Sequence, residues 1–154
     1  MKKQMKFRRQ GWCECFPTVV AMLTNHTPRY IIKRMLAVVS YTSWEEFVKF
    51  GTQDIPSIDK MFLIVQEMLP WLTLECFKRL SYNMTTGYQL EGLDLTGRGV
   101  ITIVCLFTRH IVAYQDGIIY DPFQKKPMTV QEWRKILDEH GWTIDLVQPE
   151  KTNV

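Results

Sequence analysis

The chain has no apolar run long enough to cross a membrane as a helix, which takes about 20 residues. Its basic start is not followed by the apolar stretch of a secretory signal peptide. Both absences lead us to expect a soluble cytoplasmic protein with no membrane partner. Cysteine is scarce: Cys13, Cys15, Cys76 and Cys105. In a reducing compartment these are expected as thiols, and none of them forms a Cys-x-x-Cys redox pair. Internal repeats and low-complexity segments are also missing, so solenoids and disordered tracts are excluded. A zinc site from Cys13, Cys15 and His110 lacks a fourth ligand at a strong spacing. No metal and no other cofactor is therefore expected.

What remains is an ordinary globular composition. The 154 residues are 46% hydrophobic and 23% charged, enough for one domain, 1–154, with a real core. The net charge of +3 is unevenly spread. Lys2, Lys3, Lys6, Arg8 and Arg9 form a basic arm over residues 1–9, while the rest of the chain sums to −2. The arm reads as a solvated, frayed terminus. No aromatic-basic RNA motif or helix-turn-helix pattern accompanies it, so nucleic acid is not the expected partner.

The first half has helical periodicity. Residues 15–24 are nearly all apolar, with Pro17 in the first turn, and predict a short buried helix stopped by Asn25. Thr27-Pro28 opens a second helix to about residue 38. Thr42 or Ser43, each three residues before a glutamate, opens a third. Ser57 is expected to cap a fourth helix, and Pro70 to end it.

The second half has strand character. A weak strand is expected over 72–77, and loops with a short element over 81–98. A buried strand follows over 100–107. Residues 110–115 and 118–121 flank Asp116-Gly117, a strong short-range hairpin signal. Thr129 and Glu132 form a capping box for a helix to about His140, stopped by Gly141. A final strand covers 142–147. Helices followed by an antiparallel sheet make an α+β plan, with the helices on one side of the sheet.

Cys15 stands where the first buried helix begins. Partial positive charge at a helix N-terminus favours thiolate over thiol. If Asp116 and Gly117 are the central turn residues, Gln115 faces Ile118 and Val112 faces Asp121. His110 and Val112 share a face, so Asp121 is a diagonal neighbour of His110, within reach of a hydrogen bond. A thiol, an imidazole and a carboxylate that orients the imidazole are the parts of a nucleophilic triad.

The segment Cys15-Phe16-Pro17-Thr18-Val19-Val20-Ala21-Met22-Leu23 resembles the start of small bacterial and viral papain-like cysteine peptidases, including the bacteriocin-leader (double-glycine) type. The segment from His110 to Asp121-Pro122 resembles that family's His-strand-turn-strand-Asp-Pro hairpin. The resemblance implies a papain-like fold, with an N-terminal helical half whose nucleophile helix packs on an antiparallel sheet. It implies Cys15 as nucleophile, His110 as general base, Asp121 as the orienting residue, and a protein or peptide substrate. The family places an oxyanion-hole Gln about six residues before the cysteine; here Gln10 stands five before Cys15. Trp12, beside the nucleophile, is a candidate cleft wall. A catalytically silent fold that acts as a protein-binding or inhibitory module is the alternative.

Overall fold

The computed structural model describes residues 4–11, 13–73, 93–105 and 109–150. Four helices precede the sheet: α1 (Cys15–Thr24), α2 (Pro28–Leu36), α3 (Trp44–Phe50) and α4 (Ile55–Met68). The strands are β1 (Arg98–Val104), β2 (Arg109–Gln115), β3 (Ile118–Tyr120), β4 (Met128–Thr129) and β5 (Thr143–Pro149). Helix α5 (Val130–His140) lies between β4 and β5. The sheet is antiparallel throughout, in the order β4-β3-β2-β1-β5. The fold class is α+β.

Local chemistry explains the boundaries. Asn25 ends α1 in the left-handed conformation (φ 58°), which an Asn tolerates better than most residues. The Thr27 side chain caps α2 by accepting from Tyr30 N–H at 3.1 Å. Ser43 does the same for Glu46 N–H at 3.0 Å in α3. Thr129 and Glu132 form the expected reciprocal box on α5, and Gly141 ends that helix at φ 68°.

Three expectations need correction. Ser57 does not cap α4: the helix begins at Ile55, and Asp54 is the cap, accepting from Ser57 N–H at 3.3 Å. Pro56 sits in that first turn, where its missing N–H costs nothing.

The helices do not share one side of the sheet. Val100, Ile111, Ala113 and Tyr120 join a core with α1, α2 and α4. Ile101, Ile103, Val112, Tyr114 and Ile119 face the other way, onto Trp133 and Leu137 of α5. Both faces are buried because the strands are apolar at odd and even positions alike.

The arm is not frayed at residues 4–10. Met5 is only 6% exposed and belongs to the α1 core. Its N–H donates to Oε1 of the buried Gln115 at 2.7 Å. Gln10 N–H donates to the Pro122 carbonyl at 2.9 Å. The strand expected over 72–77 and the element over 81–98 fall mostly outside the described residues, as do Trp12 and Cys76.

Candidate functional site

The hairpin arithmetic holds. Gln115 pairs with Ile118, Tyr114 with Ile119 and Ala113 with Tyr120. Asp116 (φ 49°) and Gly117 (φ 81°) both take positive φ, as a two-residue type I′ turn requires. Asp121 is the first residue beyond β3, so it arrives beside Val112 and diagonal to His110. There the Asp121 Oδ1 meets His110 Nε2 at 2.6 Å. Asp121 is also the turn former that its proline neighbour suggests: its carbonyl accepts from Gln124 N–H at 3.0 Å.

The other side of the ring reaches α1, and the Cys15 side chain hydrogen-bonds to His110. With Nε2 committed to Asp121, Nδ1 is the ring nitrogen left for the sulfur. His110 is the second residue of β2, at the margin of the sheet. A ring there can meet a carboxylate on one side and a helix start on the other.

Burial is the largest influence on His110 and works against its charge. The hydrogen bonds to Asp121 and Cys15, with the negative charge on each, outweigh it and push the imidazole up to about 10. The arrangement favours the protonated ring.

Cys15 is the first residue of α1, at the positive end of the helix dipole. Glu14 occupies the N-cap, yet its side chain makes no cap hydrogen bond. Its carboxylate instead accepts from Gly11 N–H at 3.1 Å. Gly11 leaves room for that: a Cβ there would overlap the Glu14 carboxylate. No acidic residue lies in the first turn of α1 to offset its dipole.

Gln10 is brought to the same corner by its bond to Pro122. Its side-chain Oε1 is buried without a partner among the described residues. Its Nε2 makes a long 3.4 Å bond to the Gly11 carbonyl. In this orientation the amide N–H is turned onto the loop.

Cys13 is exposed, in the left-handed conformation (φ 52°), and its carbonyl accepts from Trp44 Nε1 at 2.8 Å. Partial burial and the neighbouring Cys15 raise its thiol. It stands beside the site without a base of its own. Among the described residues, no group of three or more His, Cys, Asp or Glu is placed to hold a metal ion.

Three contributors escape a reading of the sequence. Trp133, fully buried on α5, donates its indole N–H to Asp121 Oδ2 at 3.4 Å. Phe123 donates its backbone N–H to Asp121 Oδ1 at 3.0 Å, and its ring meets His110 edge-on with centroids 6.4 Å apart. Cys105, expected in a buried strand, is half-buried just past β1. Burial first, then the charges of Asp121 and Cys15, push its thiol up to about 11. The capping box places α5 in the chain but does not say which sheet face it covers, so nothing local ties Trp133 to Asp121.

No protein-family model matches the chain, and no curated protein or solved structure matches it either. Any functional reading therefore rests on the residues and their geometry.

Proposed function

We propose that this chain is a papain-like cysteine peptidase or related amide hydrolase. One observation carries the reading: the His110 ring is bonded to Asp121 on one side and to Cys15, at a helix start, on the other. In this mechanism the Cys15 sulfur attacks an amide carbonyl carbon. The S–C bond forms, and the backbone N–H of Cys15 faces the developing oxyanion. His110 gives its proton to the amide nitrogen as the C–N bond breaks. Water then attacks the acyl-enzyme, returns a proton to His110 and releases the acid. Asp121 holds the ring orientation through both steps. An amine could replace water, giving acyl transfer. The chemistry needs a reduced Cys15, which suits the cytoplasm.

Alkylation by iodoacetamide near neutral pH, read by peptide mass, tests the nucleophile. Cys15 should label first, and more slowly in His110→Ala. Hydrolysis of a fluorogenic peptide library should vanish in Cys15→Ala. Labelling that is indifferent to His110 would sink the assignment.

A second reading keeps the fold and drops the chemistry. Gln10 favours it, because its amide donor is engaged by Gly11. On that reading the chain is a protein-binding or inhibitory module, and its biological effect survives Cys15→Ala.

A further inference from the structure

Two short segments border the cluster of Cys15, His110 and Asp121. The arm reaches it through Gln10 N–H, bonded to the Pro122 carbonyl. The chain after Asp121 is tied to it twice, by the N–H groups of Phe123 and Gln124. Both segments are thus tethered to one corner of the molecule, beside an aromatic ring that is 64% exposed, Phe123. One segment carries Arg8 and Arg9, the other Lys125 and Lys126. Arg9, Lys125 and Lys126 are exposed and Arg8 is half-buried. Among the described residues none of these cations makes an ion pair or a side-chain hydrogen bond.

The acids near them are occupied. Glu14 is turned onto Gly11 N–H. Glu132 accepts from the Thr129 N–H and hydroxyl at 3.2 and 3.1 Å, although it also feels the charge of Lys126. Several cations elsewhere are paired: Arg34 with Glu67, Lys49 with Glu45, Arg98 with Glu150 and Arg109 with Asp145. Four cations without an ion pair among the described residues thus sit on the two segments that border the reacting groups. Such a rim concentrates anionic ligands and repels cationic ones.

We infer that the site takes peptides carrying acidic residues close to the bond attacked, held by Arg8, Arg9, Lys125 and Lys126. The inference rests on the peptidase reading, but its test does not need a working thiol. Full-length Cys15→Ala protein is titrated against fluorescein-labelled peptides of equal length with Glu-rich, Gln-rich or Lys-rich flanks, and binding is read by anisotropy. The Glu-rich peptide should bind about tenfold more tightly than the Gln-rich one. Its advantage should shrink as salt rises.

Replacing all four cations by Gln (R8Q, R9Q, K125Q, K126Q) should erase the preference while circular dichroism stays unchanged. Arg9→Gln and Lys125→Gln singly, each expected to reduce it, carry the test if the combined variant misfolds. Equal binding of Glu-rich and Gln-rich peptides overturns the inference, and so does a preference that survives neutralisation. Tighter binding of a single-stranded oligonucleotide of equal charge also overturns it, since the rim then reads phosphate. Wild-type protein that binds the Glu-rich peptide and cleaves none refutes the peptidase reading and leaves the acidic preference standing.

Discussion

His110 and Asp121 meet at 2.6 Å beyond the last paired residues of their hairpin, Ala113 and Tyr120. The contact is made by side chains at the open end of the ladder, where a ring is free to meet a third group. Cys15 is that group. The geometry joins the α1 start to the hairpin through one imidazole.

The first prediction concerns that imidazole. Native His110 is raised to about 10, against about 6.5 in an unfolded chain. A raised pKa means the folded state holds the proton more tightly. The stability this contributes is present in full below about pH 6.5 and is lost as pH climbs through about 10. Cys15→Ala removes a hydrogen bond and a negative charge that both raise the value, so His110 should titrate lower in that variant. Imidazole nitrogen shifts followed by NMR from pH 5 to 11 measure both. Identical titration curves for wild type and Cys15→Ala would exclude the thiolate–imidazolium pair.

Much of this corner was legible in advance. Asp116-Gly117 fixes the turn, the turn fixes register, and register alone brings Asp121 to His110. Helix starts were legible at Thr27, Ser43 and Thr129, where a side chain makes the cap. Asp54 was missed because Ser57, three residues on, is an equally good cap by type; only the backbone shows which one flanks the helix. The two-sided burial of the sheet was missed because a run such as Val100-Ile101-Thr102-Ile103 has no polar face to betray it. The arm was misread because five cations in its first nine residues mask Met5 and Phe7. Local charge says nothing about Gln115, the buried partner of the Met5 N–H more than 100 residues away in sequence.

Trp133 supplies the second prediction. Among the described residues its indole N–H is one of three donors on the Asp121 carboxylate, with His110 Nε2 and Phe123 N–H. Trp133→Phe keeps an aromatic ring in the buried site and removes that donor. Oδ2 then loses its donor, and the carboxylate is freer to rotate away from the imidazole. On the proposed peptidase reading, kcat should fall by about tenfold or less with KM little changed, since the indole touches Asp121 and would not touch a substrate. The pH–rate profile should shift as well. A fall in thermal stability with an unaltered profile would reduce Trp133 to packing alone.

The docked arm gives the third prediction. Met5 is buried in the α1 core, and its N–H holds the buried Gln115. Met5→Ala should cost about 2–5 kcal/mol in urea unfolding, the usual range for truncating a buried methionine. Lys6→Ala, one residue along and exposed, should stay within about 0.5 kcal/mol. Equal small effects at both positions would return the arm to a frayed terminus.

The last prediction lies in the sheet, at Gly99 and Tyr114. A Cβ on Gly99 would overlap both the Gln148 carbonyl and the Tyr114 Oη. Gly99 pairs with Tyr114 on one side and Pro149 on the other, so neither strand can retreat without breaking its ladder. Gly99→Ala should therefore destabilise by about 1–3 kcal/mol, the cost of overpacking a closed site. Tyr114 is fully buried, and its hydroxyl has no hydrogen-bond partner among the described residues. Burial, with the charge of Asp94, pushes that phenol up to about 12. An orphaned buried hydroxyl is a liability, so Tyr114→Phe should be neutral or stabilising. The two changes should also couple. Tyr114→Phe removes one of the three atoms that obstruct Gly99→Ala and leaves the Gln148 carbonyl and the Tyr114 ring carbon Cε1, so the double variant should be somewhat less destabilised than the single costs add up to. Strict additivity in a urea double-mutant cycle would show that the Tyr114 hydroxyl adds nothing to the cost set by the Gln148 carbonyl and the ring edge.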